Sequence, residues 1–323
     1  MAQRRDGPRV AVVGTCTLSP YKVSDPDQLL ADGLAMVDEM ARRAEEKGWS
    51  LDLVALPETF SRVERRPGDE ALDGRTVTAM AEKARAYHTY AAVPVRLRQG
   101  EKVYNSVVML DREGGVVGMY HKVFPVAGPD GSLEGGVTPG DRFPVFDLDF
   151  GRVGAQICFD VFFEDGWQAL DYQDAELVVF ASATPAVMAL RSHAYRHQYY
   201  IVSSIHEVPS VVVDPIGREV TRTSADREPI VARFDLDYRV VRWSSLQDYG
   251  KALAEKYGDR VSQDWHYEEH MCLLTSLDVD LPVREVMQRE KLGTHRQDRD
   301  SNVPAQMAAR GGPPAQPPTV NHE

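Results

Sequence analysis

Three side chains of complementary reactivity stand where hydrophobic runs end: Glu58 in LVALPETF, Lys122 in GMYHKVFP and Cys158 in GAQICFDVFF. A carboxylate, an ammonium and a thiol form a sufficient set for nucleophilic acyl transfer. The carboxylate takes the thiol proton, the ammonium favours the thiolate and steadies oxyanion charge, and the sulfur attacks a carbonyl or nitrile carbon. Taken singly, each has a commoner use. A strand cysteine is ordinarily buried packing, a lysine after a hairpin is solvated, and a glutamate after a proline serves a turn or helix start. Glu58 and Lys122 are 64 residues apart, and Lys122 and Cys158 are 36 apart. Only the fold can bring them together.

From Arg9 onward, short β-branched runs alternate with segments of helical period, the rhythm of a layered α/β protein. RVAVVGTC and LDLVALP read as strands. Between them Ser24, Asp25 and Pro26 supply cap and first-turn signals; Leu30, Leu34, Val37, Met40, Ala41 and Ala44 form an apolar stripe, and Gly48 ends it. A second helix is predicted from Gly74 to about His88. YAAVPVRL, KVYNSVVML and GVVGMYHKV then read as a meander of hairpins, and PVFDLDFGRVGAQICF as another. A helix through EDGWQALDY, a strand LVVFASA and a helix AVMALRSHAYRHQYY follow. The strands IVSSIHEV, SVVVDPIGREVTRT and IVARFDLD close the pattern. No Pro/Gly/Ser linker interrupts it, so residues 1–243 are expected to form one domain of two sheets covered by helices. Residues 244–295 are a charged, helix-compatible extension and a candidate oligomer contact. Residues 296–323, with five prolines, cannot build a core and are expected to be disordered.

The chain of 323 residues is long enough to bury a large core. Its 43% hydrophobic and 27% charged residues exclude disordered, collagenous and disulfide-scaffold classes. With 37 basic against 49 acidic residues, the net charge of -12 repels phosphate backbones and anionic bilayers, so neither nucleic acid nor membrane is an expected partner. Cys16, Cys158 and Cys272 form no CxxC, which fits a reducing compartment and a cytoplasmic location. No apolar run reaches the eighteen or so residues of a membrane span. Nucleotide-phosphate loops of the GxGxxG or GxxxxGK[ST] type are missing, as is HExxH. His193 and His197, four residues apart on a helix, could ligate a metal without supplying a whole site; a packed or solvated pair is the commoner outcome.

The text around the three reactive residues resembles the nitrilase superfamily of carbon-nitrogen hydrolases over nearly all of Arg9–Trp243. That family carries a Glu-Lys-Cys triad in three blocks, matched in order by LPETF, YHKVFP and GRVGAQICFD. YNSVVMLDREGGVVGMYHK, PGDRFPVFDLDFGRVG and VVVDPIGRE match further. The resemblance implies a four-layer α-β-β-α sandwich that commonly forms a homodimer or larger homo-oligomer. It makes Glu58 the general base and later acid, and Cys158 the nucleophile that forms a thioester. Lys122 and the backbone N–H of Phe159 become the oxyanion hole. Glu134, in SLEGGVTPGD, matches a second glutamate that orients substrate or lysine. Tyr104, Phe162, Thr184 and Arg191 are candidate substrate contacts, Phe162 within an aromatic group with Phe124, Phe159, Phe163 and Trp167. Arg191 and Arg196 could each pair a substrate carboxylate.

The expected activity is therefore hydrolysis of a small linear amide or N-carbamoyl compound with release of ammonia, needing no cofactor and no metal. Nitrile hydrolysis by the same triad, or a non-catalytic metabolite-binding scaffold, are the alternatives. Nitrile-hydrolysing members commonly follow the cysteine with Trp-Glu, whereas Phe159 and Asp160 stand here, nearer the amidase and carbamoylase branches. Phe163, Glu164 and Asp165 replace the usual Phe-Pro-Glu, and Arg196 and His197 replace a Glu-Asn pair.

Overall fold

Runs of period two become strands and stripes of period 3.6 become helices in the computed structural model, which describes residues 9–21, 23–62, 68–242, 246 and 248–313. The chain divides into two units, Met1–Leu236 and Asp237–Glu323. The first opens with β1 (Val10–Thr17), α1 (Pro26–Glu45), β2 (Leu53–Ala55), α2 (Arg75–Tyr87), β3 (Tyr90–Gln99), β4 (Lys102–Leu110) and β5 (Val116–His121). It continues through β6 (Val145–Asp147), β7 (Arg152–Ile157), α3 (Glu164–Tyr172), β8 (Leu177–Ser182), α4 (Val187–His197) and β9 (Tyr200–Ile205). β10 (Val211–Val213), β11 (Glu219–Arg222) and β12 (Glu228–Asp235) complete it.

Local chemistry sets the boundaries. Asp25 caps α1 by accepting from Asp27 N at 3.0 Å, with Pro26 as the first helical residue. α4 stops at His197, short of the expected end at Tyr200, because Gln198 turns left-handed (φ 59°) and Tyr200 already pairs in β9.

The main strand path runs β5-β4-β3-β2-β1-β9-β8-β7-β6, with β12 antiparallel along β1 and the β10–β11 hairpin on β9. Two separate sheets were the expectation from sequence; instead the halves are joined. Thr17 pairs with Ile205, and Leu18 N donates to Ile205 O at 3.1 Å. The layers follow from burial. α1 and α2 cover one face of the first half, over Val12, Val54, Val93 and Val95, while α3 and α4 cover Val178, Phe180 and Ile201 of the second. Yet Val13, Leu53, Ala92 and Val107, and likewise Leu177, Val179, Ala181 and Val202, are wholly buried on the opposite faces. Each helical layer covers one face of its sheet, so the remaining faces are buried against each other, giving the expected four-layer α-β-β-α sandwich. Buried hydroxyls between the halves are paired, Thr15 Oγ1 donating to Ser203 O at 2.7 Å.

The second unit comprises β13 (Tyr238–Arg242), α5 (Lys251–Tyr257), β14 (Val261–His266), β15 (Met271–Ser276), α6 (Val283–Arg289) and α7 (His295–Arg310). Its strands form an antiparallel sheet in the order β13-β15-β14. The expected break at Trp243–Ser244 lies outside the described residues; the units part at Leu236–Asp237. The helix-compatible reading of residues 244–295 missed two strands, which bury Cys272 and Leu274 against Val241, Val261 and Val286. Residues 295–310 are helical where composition predicted disorder. Thr294 Oγ1 accepts from Gln297 N at 3.1 Å and the Gln297 side chain accepts from Thr294 N, a reciprocal cap. Among the described residues, no helix is long and apolar enough to cross a membrane.

Helix α1 touches the site-bearing loop through Gly33, where a Cβ would overlap the ring of buried Phe60, two residues beyond Glu58. Alanine is the better helix former by about 0.5–1 kcal/mol, but overpacking costs about 1–3 kcal/mol. Gly33→Ala is therefore expected to lose about 1–2 kcal/mol in urea unfolding. A stabilised variant would contradict this close approach.

Candidate active site

Every reactive residue follows the C-terminal end of a strand. Glu58 lies three residues past β2, Lys122 directly after β5 and Cys158 directly after β7; Ala183 follows β8 and His206 follows β9. Since β2, β1, β9, β8 and β7 run parallel, these ends collect on one side, where open α/β sheets place their ligands. Thr59, Glu134 and Cys158 take left-handed φ of 45°, 43° and 46°. Non-glycine residues held there cost about 1–3 kcal/mol each and concentrate at functional turns.

Lys122 is the hub. Only 2% exposed, its Nζ donates to Glu58 Oε1 at 3.3 Å and to Glu134 Oε1 at shorter range. Burial opposes its charge, but the carboxylates of Glu58 and Glu134 outweigh burial and hold the ammonium above the usual lysine range. Asn105 ties the carboxylates together, its Nδ2 donating to Glu58 Oε1 at 2.7 Å and Glu134 Oε2 at 3.2 Å. Ala183 N donates to Glu58 Oε2 at 3.0 Å, and His206 Nε2 donates to Glu58 O at 2.6 Å. Glu134 is fixed from behind: Arg96 donates to its carbonyl at 2.8 Å, and Val126 N to its Oε1 at 2.9 Å.

Cys158 opens a 3-10 turn, Cys158–Phe162, and is half-buried. Burial pushes its thiol above the usual range and the Glu58 charge pushes the same way, while Lys122, the Ser182 hydroxyl and the Ala183 N–H pull it down. The opposing influences leave the thiol harder, not easier, to ionise than a free cysteine, with the Glu58 charge among the causes. Asp160 anchors the turn. It accepts from Ile157 N at 2.8 Å, Phe124 N at 3.0 Å and Tyr120 Oη at 2.7 Å, joining the cysteine turn to the segment that carries Lys122. Burial pushes its carboxyl up to about 6 against those three donors.

The predicted residues fall into two groups. Glu58, Lys122, Glu134 and Cys158 come together, and Phe159 follows the sulfur in the same turn. Phe162 is exposed beside Phe159, their ring centroids 5.3 Å apart; Thr184 is exposed on the loop after Ala183, its N–H donating to Ser182 Oγ at 3.1 Å. Both stand at the rim. Tyr104 instead stacks on His121 at 4.1 Å and lines a separate cleft of about 330 Å³ with Lys102 and Thr138, because successive strand residues face opposite ways. Its neighbour Asn105 points to the carboxylates. Arg191 donates to Gly217 O at 2.8 Å, and Arg196 pairs with Glu164 at 3.0 Å. Asn105, His206 and Asp160 are the functional residues that motif reading missed. The available signal was a polar residue inside an otherwise apolar strand or strand end.

A layered α/β sandwich that gathers a carboxylate, an ammonium and a thiol at its strand ends defines an enzyme of the hydrolase type. The chain belongs to the carbon-nitrogen hydrolase family, whose model matches residues 9–241. It is 28% identical to the deaminated glutathione amidase of Mus musculus over 58% of this chain and 68% of that one. It is 26% identical to a nitrilase of Pyrococcus abyssi (73% and 95% covered) and 24% identical to the N-carbamoylputrescine amidase of Solanum lycopersicum (79% and 93%). Among solved structures, a Saccharomyces cerevisiae member of branch 10 of the nitrilase superfamily superposes with a TM-score of 0.61 at 18% identity, covering 80% of this chain and 100% of that one. An amidase from Nesterenkonia sp. gives 0.54 at 21% identity, with 73% and 92% covered.

Asp160→Asn places an amide NH2 against donors that need an acceptor. Stability is expected to fall by about 2–4 kcal/mol in denaturant melts, as for other buried polar groups left unmatched. A change under about 0.5 kcal/mol would remove Asp160 from the anchoring role.

Proposed function

We propose that the protein hydrolyses a small linear amide or an N-carbamoyl compound through a thioester on Cys158. The observation that carries this reading is the Glu58 carboxylate, held by Asn105, Lys122 and Ala183 N beside a thiol that burial keeps protonated. A protonated sulfur needs a base, and a carboxylate fixed on both oxygens supports assigning that role to Glu58. Glu58 takes the thiol proton as Sγ attacks the carbonyl carbon. Lys122 and the Phe159 N–H hold the oxyanion of the tetrahedral intermediate. The C–N bond breaks as Glu58 returns the proton to the leaving nitrogen, releasing ammonia. Water then gives a proton to Glu58 and attacks the thioester; the C–S bond breaks, the sulfur regains its proton, and a carboxylate leaves. From a carbamoyl group the final products include carbon dioxide. Glu134 keeps Lys122 charged and aimed throughout.

Two features support an amide over a nitrile: amidases recur among the relatives, and Phe159 and Asp160 follow the nucleophile. A homodimer or larger homo-oligomer and a cytoplasmic setting belong to the same proposal, supported by the family resemblance and by three cysteines without a CxxC. Light scattering and fractionation test them.

Ammonia release from a panel of amides, N-carbamoyl compounds and matching nitriles is the direct assay. Wild type is expected to act on an amide or carbamoyl member and Cys158→Ala on none; equal turnover by the two ends the thioester reading. Glu58→Gln separates base from bystander. Removing the negative charge lowers the thiol pKa, so the pH midpoint of Cys158 alkylation by iodoacetamide moves down, while amide turnover falls by about 10²–10⁴. Retained turnover in this variant would show that Glu58 only tunes the sulfur.

A further inference from the structure

Behind the nucleophile turn, on the outer helical layer, Glu164 opens α3, and His193 and His197 lie one turn apart on α4. One donor atom from each of the three lies within 4.8 Å of the others. The second nitrogen of each ring is already engaged. His193 Nε2 donates to Val161 O at 2.9 Å, and His197 Nδ1 lies 3.4 Å from Asp171 Oδ2. Those contacts leave lone pairs on His193 Nδ1, 3.8 Å from Glu164 Oε2, and on His197 Nε2, 3.1 Å from Glu164 Oε1. His193, only 7% exposed, has no partner for Nδ1. In their neutral form, with the proton on the nitrogen already engaged, both rings turn a lone pair toward the same carboxylate, an arrangement that a cation between the three would satisfy.

We propose that Glu164, His193 and His197 form a binding site for a divalent transition metal of the zinc type. A tetrahedral ion with bonds of about 2.0–2.1 Å holds its donors roughly 3.3 Å apart, so these separations need only small side-chain shifts. Two imidazoles and a carboxylate are a donor set suited to zinc, and the partly exposed Glu164 leaves a water-filled fourth position and a route from solvent. Asp171 is the outer carboxylate that orients a ligating imidazole. Trp167 clamps the other ring, stacked on His193 at 4.2 Å and 7°. Arg196, 3.0 Å from Glu164 and itself exposed, gives up or shares that carboxylate. The ion clips the start of α3 to α4 and, through His193 and Val161, braces the turn that carries Cys158. It takes no part in the acyl chemistry.

The full-length protein, stripped with chelator, is titrated with Co²⁺ and with Zn²⁺ in wild-type and Cys158→Ala forms. Both are expected to take up one equivalent per chain, with visible d–d absorption for Co²⁺, no thiolate charge-transfer band, and quenching of Trp167 fluorescence. The His193→Gln/His197→Gln double variant should lose uptake, and Asp171→Asn should weaken it about 10–100-fold. If the double variant fails to fold by circular dichroism, Glu164→Gln, on a partly exposed side chain, is used in its place and should weaken binding at least tenfold. Failure to retain a stoichiometric ion, uptake indifferent to these substitutions, or uptake lost with Cys158 overturns the site.

Discussion

A buried ammonium cannot stand alone, and most of the reactive side of this sandwich is arranged around that fact. Lys122 is almost without solvent, so its charge survives only because Glu58 and Glu134 both reach it. Each carboxylate is in turn pinned: Glu58 through Asn105, Ala183 and His206, and Glu134 through Arg96 and Val126. The outcome is a network of fixed dipoles and charges, the preorganisation that the proposed oxyanion stabilisation by Lys122 calls for. Removing one member leaves its partners uncompensated in a dry setting, so the members act as a unit rather than as additive contributions.

Much of this could be read from sequence because it rests on period and on strand ends. The alternation of β-branched runs with apolar helical stripes is a local signal, and it placed Glu58, Lys122 and Cys158 each just past a strand. What stayed hidden depends on which way a side chain faces and on which distant backbone it meets. The motif around Tyr104 points to the right strand but the wrong face: Asn105 reaches the carboxylates, because neighbouring strand residues face opposite ways. His206 and Asp160 act on atoms far away in sequence, a carbonyl at Glu58 and an amide at Phe124. Arg191 looked available as a helix cation, but Gly217 occupies it. The strands of the second unit carry no clean period of two: Met271, Cys272, Leu273 and Leu274 are all buried in succession, so β15 shows no apolar-polar alternation. The join at Thr17 and Ile205 is a single pair with no sequence signature at all.

The departures from family text cluster in space. The resemblance sets a proline at the position of Glu164 and a Glu-Asn pair at the positions of Arg196 and His197. These substitutions meet one another at the α3–α4 seam, Glu164 contacting both Arg196 and His197. Positions that look unrelated along the chain thus meet at one corner.

The left-handed backbone at Cys158 has an evolutionary corollary. A glycine or asparagine at that position would suit the turn better than cysteine does, so the sulfur is kept against the preference of the main chain. Under the proposed reaction, backbone comfort and turnover therefore pull in opposite directions at one residue. A lineage released from the need to react could drift toward a sturdier, silent descendant simply by letting this position relax.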